Sequence, residues 1–416
     1  MNSSTGGAEF AVSARRIRRA SHRAAVVFVV AVLVAAMSAI AIGPARAAVP
    51  VGDGQRGINV TTMEIQAVTI FDHPTITNTG EPQSSYNYLA SLGHKLIRLP
   101  ISWNFLQPNL DTGNRTFHAA YWTAIKAEVA KIKAAGLKTV LDLHNGCEWT
   151  KPKTTAPVKV CGAGLTLADT NDVWLQLSNQ FKNEPSVVAY DLFNEPVRFN
   201  HPTRSELQNA ADQPYTSYKA AVNSIVAALR ANNDSKKIWV ESLCCHREHD
   251  LASTDPNGGW VIDPLNKIVY SQHMYPVSDS SKGEVFDMAK IDPNYEQPQG
   301  DFWADWGYVR GFLSRLDRFA GWCDRSNVQC SIGEVGWYGD GQSPDSAALW
   351  NQLGDEWYNK ANYHGFAVTY YGASSTSPGS LWAYDSATPA WHPAPGFSRK
   401  QPQALILEKP SHLSRP

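Results

Sequence analysis

Two apolar runs that stop abruptly on a glutamate place the strongest constraint on the fold of this chain. The first, residues 186–196, reads Ser-Val-Val-Ala-Tyr-Asp-Leu-Phe-Asn-Glu-Pro and ends on Asn194, Glu195 and Pro196. Its β-branched and aromatic residues are typical of a strand covered on both faces, and Pro196 cannot donate to a continuing ladder. The second, residues 330–337, reads Cys-Ser-Ile-Gly-Glu-Val-Gly-Trp and contains Glu334. We therefore predict Glu195 and Glu334 at the C-terminal ends of two strands.

These two glutamates are far apart in the sequence, and they meet only if the sheet closes on itself. In a (β/α)8 barrel the C-terminal ends of all the strands meet at one mouth, where such barrels place their chemistry. Two facing carboxyl groups suit the cleavage of a glycosidic bond, because one protonates the leaving oxygen and the other attacks carbon or activates water. Retention of configuration requires the two groups roughly 5 Å apart, and inversion roughly 6.5–9.5 Å.

The rest of the chain fits an α/β fold made of a single (β/α)8 TIM barrel with elaborated βα loops. Strand-like runs alternate with stretches of helical periodicity. The predicted strands are Gly57–Val60, His94–Pro100, Lys138–Leu143, Val187–Phe193, Lys237–Leu243, Ile268–Gln272, Cys330–Glu334 and Gly365–Tyr371. Helices are predicted over Tyr86–Leu92, Trp122–Ile132, Leu175–Phe181, Pro214–Ala231, Val309–Phe319, Pro344–Lys360 and Gln401–Leu407. Because no linker or repeat follows Ala48, we expect residues 48–416 to form one catalytic domain.

Residues 1–47 are predicted to be a signal peptide. Arginines between Arg15 and Arg23 precede an apolar segment, Ala24–Ile42, and the small-residue site Ala45-Arg46-Ala47 follows it. This order of basic, apolar and small residues predicts a secreted protein with no stable membrane association after cleavage. The apolar segment is also long enough for an uncleaved anchor, and Arg15-Arg16 leaves a twin-arginine signal open.

The charge balance argues against some classes of partner. Lys and Arg number 37 against 38 Asp and Glu, so long-range attraction to nucleic acid or to an anionic membrane is not expected. The 14 tryptophans and 16 tyrosines suit a carbohydrate groove, although many of them are expected in the core. We predict an oligo- or polysaccharide substrate, a monomer and no cofactor.

All six cysteines follow the predicted cleavage site, and in an exported protein they are expected to pair. Proximity favours Cys147 with Cys161 and Cys323 with Cys330. For the adjacent Cys244 and Cys245 three alternatives remain, namely a vicinal disulfide, free thiols and pairing with other cysteines. The stretch Cys244–Asp250 has the composition of a metal site, but cysteine pairing and a charged loop explain it equally well, so we predict no metal.

Two further polar residues interrupt or end predicted strands. Arg98 lies within an apolar strand, and because a buried unpaired charge is unstable, it needs an anion nearby. We expect it to keep a catalytic carboxylate ionised. His144 ends the third strand, directly after Asp142 and Leu143, and Asp142 is expected to be structural.

Five motifs in a fixed order resemble glycoside hydrolase family five, the cellulase family of clan A. The resemblance covers the chain from Gly57 to about Trp382. The motifs are Arg98 in Ile97-Arg98-Leu99-Pro100, His144 in Asp142-Leu143-His144, Asn194-Glu195-Pro196, His273-Met274-Tyr275 and Gly333-Glu334.

The resemblance implies a retaining double displacement in which Glu195 is the acid/base and Glu334 the nucleophile. The pKa of Glu195 is then expected above that of Glu334. Arg98 and Tyr275 would orient Glu334, Asn194 would contact the 2-hydroxyl, and His144 and His273 would order the sugar and the acid/base pair. Trp103 and Trp337 are predicted to line the groove. Family members commonly place a tryptophan at the end of the eighth strand, where this chain has Tyr371. Trp382 follows eleven residues later, and either ring could stack on the sugar at the cleavage point.

The sequence does not name the sugar. β-1,4-Glucan is the commonest substrate of the family that the chain resembles, but an exo-acting β-glycosidase or a β-mannanase remains open. A long wall at 277–305 and a loop closed by Cys147 and Cys161 could narrow the cleft and favour exo action. Two other classes are a catalytically inactive carbohydrate-binding barrel and a metal-dependent barrel hydrolase. The latter needs His-x-His on an early strand, and the chain has Asp142-Leu143-His144 instead.

Overall fold

The computed structural model describes residues 54–75, 79–155, 157–196, 215–242, 250–276, 285–295, 307–339, 343–376, 379–386 and 397–413. Four of the sequence predictions fall outside these residues. They are the signal peptide at 1–47, the pairing of Cys244 and Cys245, the metal site weighed for the stretch 244–250 apart from Asp250, and most of the wall at 277–305.

Eight parallel strands form a closed barrel, as predicted. Their order around the barrel follows their order in the chain, and the first strand pairs with the last. The strands are β1 (Arg56–Val60), β2 (Leu96–Ile101), β3 (Lys138–Leu143), β4 (Val187–Asp191), β5 (Lys237–Glu241), β6 (Ile268–Met274), β7 (Gln329–Val335) and β8 (Ala367–Ser374). The fold is therefore a (β/α)8 barrel, and it brings all C-terminal strand ends to one mouth.

The longer helices lie between the strands, and their ends follow local sequence signals. Thr166 caps one helix and exchanges hydrogen bonds with Asp169, while Ser343 caps another that has Pro344 in its first turn. Gly93 and Gly365 end two helices at positive φ, which glycine tolerates. The helices are α1 (Gln83–Leu92), α2 (Ala119–Ala134), α3 (Leu167–Phe181), α4 (Tyr215–Ala231), α5 (Ser314–Ser326) and α6 (Pro344–His364).

Shorter elements complete the described chain. The predicted final helix is shorter than expected, because only its last four residues are helical. Short helices and turns span Thr62–Ile65, Ala67–Asp72, Trp103–Leu106, Leu110–Thr112, Leu251–Thr254, Met288–Ile291, Val309–Leu313, Ala404–Leu407 and Pro410–His412. Short strands span Glu148–Trp149, Lys159–Cys161, Gly164–Leu165, Tyr384–Asp385 and Arg399–Lys400. Within the described ranges, no helix combines the length and the apolar character needed to cross a membrane.

The two ends of the barrel differ in chemistry. An apolar cluster at the N-terminal end borders a cavity of about 360 Å³ and consists of Leu96, Val140, Ala189, Trp239, Val269 and Ala367. Polar side chains from seven strands occupy the opposite end, and they are Asn59, Arg98, Asp142, Asp191, Glu241, His273 and Glu334. The barrel therefore separates a packed floor from a charged mouth.

Two disulfides join the predicted pairs. Cys147 and Cys161 are linked with their Cα atoms 5.7 Å apart, and Cys323 and Cys330 with theirs 6.3 Å apart. The first closes the loop that leaves β3. The second joins α5 to the start of β7. Both pairings inferred from proximity are confirmed.

His94 precedes β2 and is expected to make the protein sensitive to acid. The side chain is buried, and within the described structure neither ring nitrogen has a hydrogen-bond partner. Burial lowers the pKa of His94 to about 4, and Glu408 only partly opposes this. The unfolded chain therefore binds a proton at higher pH than the folded one, and stability falls as the pH drops from about 6.5 towards 4.

Replacing His94 with leucine is expected to remove this loss of stability at low pH. Between pH 7.5 and 4.5 the wild type should lose up to about 3 kcal/mol more unfolding free energy than His94→Leu. Urea denaturation at a series of pH values measures this difference. Replacement of the exposed His73 by leucine is the control and should keep the wild-type pH dependence. Equal acid sensitivity in wild type and His94→Leu would contradict the prediction.

Candidate active site

Arg98 lies at the centre of the charged mouth. Its side chain is fully buried, so it does not reach a position where a sugar could touch it. Its role is therefore to hold other groups of the site rather than to contact the substrate. The guanidinium lies 3.1 Å from Asp142, 2.9 Å from Asp191, 3.0 Å from Glu241 and 2.7 Å from Glu334, and it also donates to Asn59 and Asn194.

Glu334, near the end of β7, receives hydrogen bonds from two directions. Arg98 Nη1 donates to Oε1 at 2.7 Å, and the Tyr275 hydroxyl donates to Oε2 at 2.6 Å. Only 4% of the residue is exposed. Because both oxygens are fixed, the carboxylate has one orientation, as a nucleophile requires.

Glu195 faces Glu334 from the chain that leaves β4. Its backbone has a positive φ of 44°, which is a strained conformation for a residue with a side chain. The backbone N–H donates to Glu241 Oε2 at 2.7 Å, and the side-chain Oε1 lies 2.9 Å from His273 Nδ1. About a third of the Glu195 side chain is exposed, against 5% for Glu334. Glu195 is thus the more accessible carboxyl group of the pair.

His273 links the two glutamates to a third carboxylate. Its Nδ1 lies 2.9 Å from Glu195 and 3.4 Å from Glu334, and its Nε2 lies 3.0 Å from Glu241. Burial would lower the pKa of His273, but the charges of Glu241 and Glu334 outweigh burial and raise it. The ring is therefore an imidazolium, with Nδ1 hydrogen-bonded to Glu195 and Nε2 in an ion pair with Glu241.

The surroundings act differently on the pKa values of the two glutamates. Burial raises the pKa of Glu334, and the charges of His273 and Arg98 offset only part of that effect. Burial also acts on Glu195, but the hydrogen bond and charge of His273 outweigh it and lower the pKa of Glu195. The expected order of these two pKa values treated Glu195 as isolated, whereas the structure places it in contact with the imidazolium of His273.

His144 lies at the end of β3 and is held by Asp142. Its Nδ1 is 2.6 Å from Asp142 Oδ2, and its Nε2 is 3.8 Å from Glu64 Oε2. Burial alone would lower the pKa of His144, but Glu64 and Asp142 raise it to about 10. The histidine is therefore a cation, and Asp142 has the structural role expected of it.

Two of the predicted groove aromatics lie in the core instead. Trp337 is fully buried, packs on Gly354 of α6 and donates its indole N–H to Asn351. Trp103 is also fully buried and donates to Gln107. A ring with no exposed surface cannot stack on a sugar, so both assignments were wrong.

The other two aromatics keep exposed surface. Tyr371 on β8 is partly buried, and its ring centroid lies 6.5 Å from that of Tyr275 in an edge-to-face arrangement. Trp382 is partly buried and lies close to Gly372, the residue after Tyr371. Both rings therefore have surface on which a sugar could stack, and the choice between them stays as the sequence analysis gave it.

A polar cavity of about 310 Å³ adjoins Glu195 on the side of β3. Its wall comes from the loop that Cys147 and Cys161 close. Gly146 packs so closely there that a Cβ would lie 3.2 Å from the carbonyl oxygen of Glu195. The lining residues are Asn104, His144, Asn145, Gly146, Glu148, Trp149, Thr150, Asn194 and Glu195.

Among the described residues, one group of His, Cys, Asp and Glu side chains could hold a metal ion. It consists of Glu195, His273 and Glu334, whose ligand atoms lie within 4.8 Å of one another. His273 is already engaged by carboxylates at both ring nitrogens. A metal would have to displace a proton from that ring, and the donor set therefore fits acid/base chemistry better than metal binding.

The motif order, the barrel and the facing carboxylates agree with a comparison of the chain with family models. The model described as cellulase (glycosyl hydrolase family 5) matches residues 53–377. The chain belongs to glycosyl hydrolase family 5. The resemblance inferred from five motifs is thus confirmed over most of the sequence.

Curated relatives of this family 5 chain include several endoglucanases. The manganese dependent endoglucanase Eg5A of Phanerodontia chrysosporium is 26% identical over 233 residues, which is 54% of each chain. Endoglucanase B of Paenibacillus lautus is 29% identical over 26% of this chain and 18% of its own. An endoglycoceramidase of Hydra vulgaris is 30% identical over 29% of this chain and 22% of its own. The matches thus span about half of these relatives' length or less.

Solved structures share the fold of this family 5 chain. Endoglucanase Cel5A of Pseudomonas stutzeri has a TM-score of 0.61 at 19% identity, covering 87% of this chain and 95% of that one. The endo-β-1,4-glucanase Xac0029 of Xanthomonas axonopodis pv. citri has a TM-score of 0.62 at 19% identity, covering 87% and 99%. At this identity the likeness concerns the barrel alone.

Sequence reasoning missed Glu241 and Asp191, which complete the charged mouth. Glu241 ends β5 and contacts Arg98, His273 and the Glu195 backbone; Asp191 ends β4 and contacts Arg98. Both are acidic residues at the end of an apolar strand, which is the same signal that identified Glu195.

Replacing Glu241 with glutamine is expected to weaken catalysis through His273. The loss of a negative charge 3.0 Å from Nε2 removes a main cause of the raised pKa of His273. We expect kcat/KM to fall about 10²-fold and the alkaline limb of its pH profile to move down by about one pH unit. Steady-state kinetics from pH 4 to 9 test this. An unchanged pH profile with only a lower melting temperature would indicate a purely structural role.

Proposed function

We propose that this protein is a secreted, retaining β-glycoside hydrolase that acts on a β-1,4-glucan. The observation that carries this proposal is the approach of the two catalytic carboxyl groups. Oxygen atoms of Glu195 and Glu334 lie within 4.8 Å of each other. Inverting enzymes need roughly 6.5–9.5 Å to place a water between the groups, whereas retaining ones need roughly 5 Å.

In the first step of this mechanism, Glu334 attacks the anomeric carbon. The bond to the leaving oxygen breaks, and that oxygen takes a proton from Glu195. Arg98 and Tyr275 support this role because their hydrogen bonds fix both oxygens of Glu334. In the second step Glu195 removes a proton from water, whose oxygen displaces Glu334 and completes two inversions.

The proton for the first step comes from the pair formed by Glu195 and His273. His273 carries a proton on Nδ1, 2.9 Å from Glu195 Oε1, and a second proton facing Glu241. Transfer of the Nδ1 proton leaves a neutral imidazole and a protonated Glu195, which is the form that a general acid needs. The low pKa of Glu195 is compatible with acid catalysis because the proton stays within the pair.

The names of the relatives support a glucan substrate. Endoglucanases recur among them, and solved neighbours include complexes with cellobiose and with cellopentaose. Because an endoglycoceramidase is among the relatives, a glycoside with a different aglycone is an alternative substrate. The alternatives are therefore an exo-acting β-glycosidase or a β-mannanase built on the same site.

One screen tests the proposed reaction. Purified protein is incubated with carboxymethyl cellulose, β-1,3-glucan, β-mannan and aryl β-glycosides, and products are followed by reducing-end assay and NMR. We expect the β-1,4-glucan to be cleaved and the β-anomer to appear first. An initial α-anomer would reject retention, and no hydrolysis of any member of the panel would reject the enzymatic proposal in favour of an inactive barrel.

Secretion, a monomeric state and metal-independent activity belong to the same proposal. They rest on the predicted signal at residues 1–47 and on proton transfer through Glu195 and His273. N-terminal sequencing should find a mature chain beginning near Ala48, and light scattering should give the mass of one chain. Dialysis against EDTA should leave kcat/KM unchanged. A loss of activity that Mn²⁺ restores would instead place this protein with its manganese dependent relative.

A further inference from the structure

Glu64 lies at the mouth of the barrel but belongs to none of the interactions described for the catalytic pair. It is part of the short helix Thr62–Ile65, which directly follows β1 at the C-terminal edge. Its Oε2 is 3.8 Å from His144 Nε2, and a third of its side chain is exposed. Its charge also acts on Tyr371, on β8. Glu64 therefore borders the site between the ends of β3 and β8.

The carboxylate of Glu64 has unused capacity to accept hydrogen bonds. Within the described part of the chain, none of the hydrogen bonds ends on either of its oxygens, and its one close charged neighbour is His144. The two catalytic glutamates differ in this respect, because Glu334 accepts from Arg98 and Tyr275, and Glu195 contacts His273. A carboxylate offers about four acceptor positions. Those of Glu64 face a partly exposed mouth.

We propose that Glu64 is a substrate-binding residue that accepts a hydrogen bond from a hydroxyl group of the sugar at the cleavage point. The inference rests on the proposed function and adds a recognition element to the same site. Asp142 holds Nδ1 of His144, which leaves the Nε2 proton directed towards Glu64. A hydroxyl oxygen about 2.8 Å from each group spans this 3.8 Å gap, accepting from His144 and donating to Glu64.

The topology of the barrel places Glu64 beside the sugar at the cleavage point. The anomeric carbon lies at Glu334 on β7, and the leaving oxygen lies at Glu195 after β4. Glu64 and His144 follow β1 and β3, on either side of Arg98 on β2. The donor is therefore a hydroxyl group of the sugar ring itself, and the hydroxyls on carbon 3 and carbon 4 are the two candidates. A free 4-hydroxyl exists only at a non-reducing end, whereas a 3-hydroxyl exists throughout a β-1,4-glucan.

Deoxy substrates test this assignment directly. An aryl β-glucoside with a good leaving group is compared with its 3-deoxy and 4-deoxy analogues, using wild type and Glu64→Ala. We expect Glu64→Ala to lower kcat/KM for the parent glucoside about 10²-fold, as for the loss of a hydrogen bond to a charged group. For one of the two analogues, both proteins should have equal kcat/KM, because the donor is already missing. If wild type and Glu64→Ala have equal kcat/KM only on the 4-deoxy analogue, Glu64 contacts the 4-hydroxyl, which indicates an exo-acting site. If they have equal kcat/KM only on the 3-deoxy analogue, Glu64 contacts the 3-hydroxyl, which suits an endo-acting site.

Two results would overturn the inference. One is equal kcat/KM of wild type and Glu64→Ala on the parent glucoside. The other is an equal effect of Glu64→Ala on the parent and on both analogues. The matched control is Glu356→Ala on α6, whose carboxylate lies outside the mouth, and it should retain wild-type kinetics. Melting temperatures show that each variant is folded. If wild type cleaves no glycoside at all, the proposed function fails, whereas an active wild type matched by Glu64→Ala rejects this inference alone.

Discussion

Replacing Glu334 with alanine is expected to lower kcat by about 10⁴-fold or more while leaving sugar binding intact. The variant loses the atom that attacks the anomeric carbon, but the groove aromatics Tyr371 and Trp382 and the hydrogen-bonding groups around them remain. Steady-state kinetics on an aryl β-glycoside measure the first effect, and titration calorimetry with a cello-oligosaccharide measures the second. Wild-type turnover in Glu334→Ala would end the two-glutamate mechanism.

Azide separates the roles of the two glutamates. In Glu334→Ala, azide occupies the space of the missing nucleophile and attacks carbon directly, so we expect an α-glycosyl azide. In Glu195→Ala, an activated substrate still forms the glycosyl-enzyme, and azide then displaces Glu334 to give a β-glycosyl azide. NMR of the products distinguishes the two anomers. A β-azide from Glu334→Ala would mean that the assignments are exchanged.

The residues at the strand ends could be found from the sequence because one signal marks them. Glu195 and Glu334 each interrupt an apolar run, and in a parallel barrel the end of such a run lies at the mouth. All eight barrel strands were predicted, with β3 matching at both ends. The same signal was present at Glu241 and Asp191, but nothing local distinguishes a catalytic carboxylate from one that supports it.

Other features depend on contacts between distant strands and could not be read from the sequence. The low pKa of Glu195 comes from His273, and the raised pKa of His273 comes in turn from Glu241 and Glu334. Trp337 follows β7 at a position typical of a groove residue, yet it turns towards Gly354 on α6. Side-chain direction at the end of a strand is set by packing with neighbouring helices, which periodicity alone does not specify.

The charged mouth is stable because the buried guanidinium of Arg98 balances several carboxylates at once, together with the imidazolium of His273. Asp142, Asp191, Glu241 and Glu334 approach within 2.7–3.1 Å of the Arg98 guanidinium. A planar guanidinium offers five donors in a fixed geometry, whereas a lysine ammonium is a compact charge with three. Lysine therefore cannot reach carboxylates on four different strands at the same time. Removing the arginine leaves buried carboxylates uncompensated.

Arg98→Met is expected to damage stability and catalysis together. At pH 7.5 the variant should lose about 3–5 kcal/mol of unfolding free energy, as for other buried ion pairs that lose one partner. Without the cation, the folded-state pKa values of the carboxyl groups rise, and the penalty then grows as the pH rises above the unfolded value near 4.5. Denaturation at pH 5 and pH 7.5 should therefore show a smaller loss at the lower pH.

Arg98→Lys should keep part of the stability but lose about 10³-fold in kcat/KM, because Glu334 is no longer held in one orientation. Arg230→Met is the matched control, since Arg230 forms a largely buried pair with Asp263 and has no role in the charged mouth. It should lower stability and leave kcat/KM unchanged. If Arg98→Lys retained full activity, the charge of Arg98 alone would suffice, and the fixed orientation of Glu334 would have no part in catalysis.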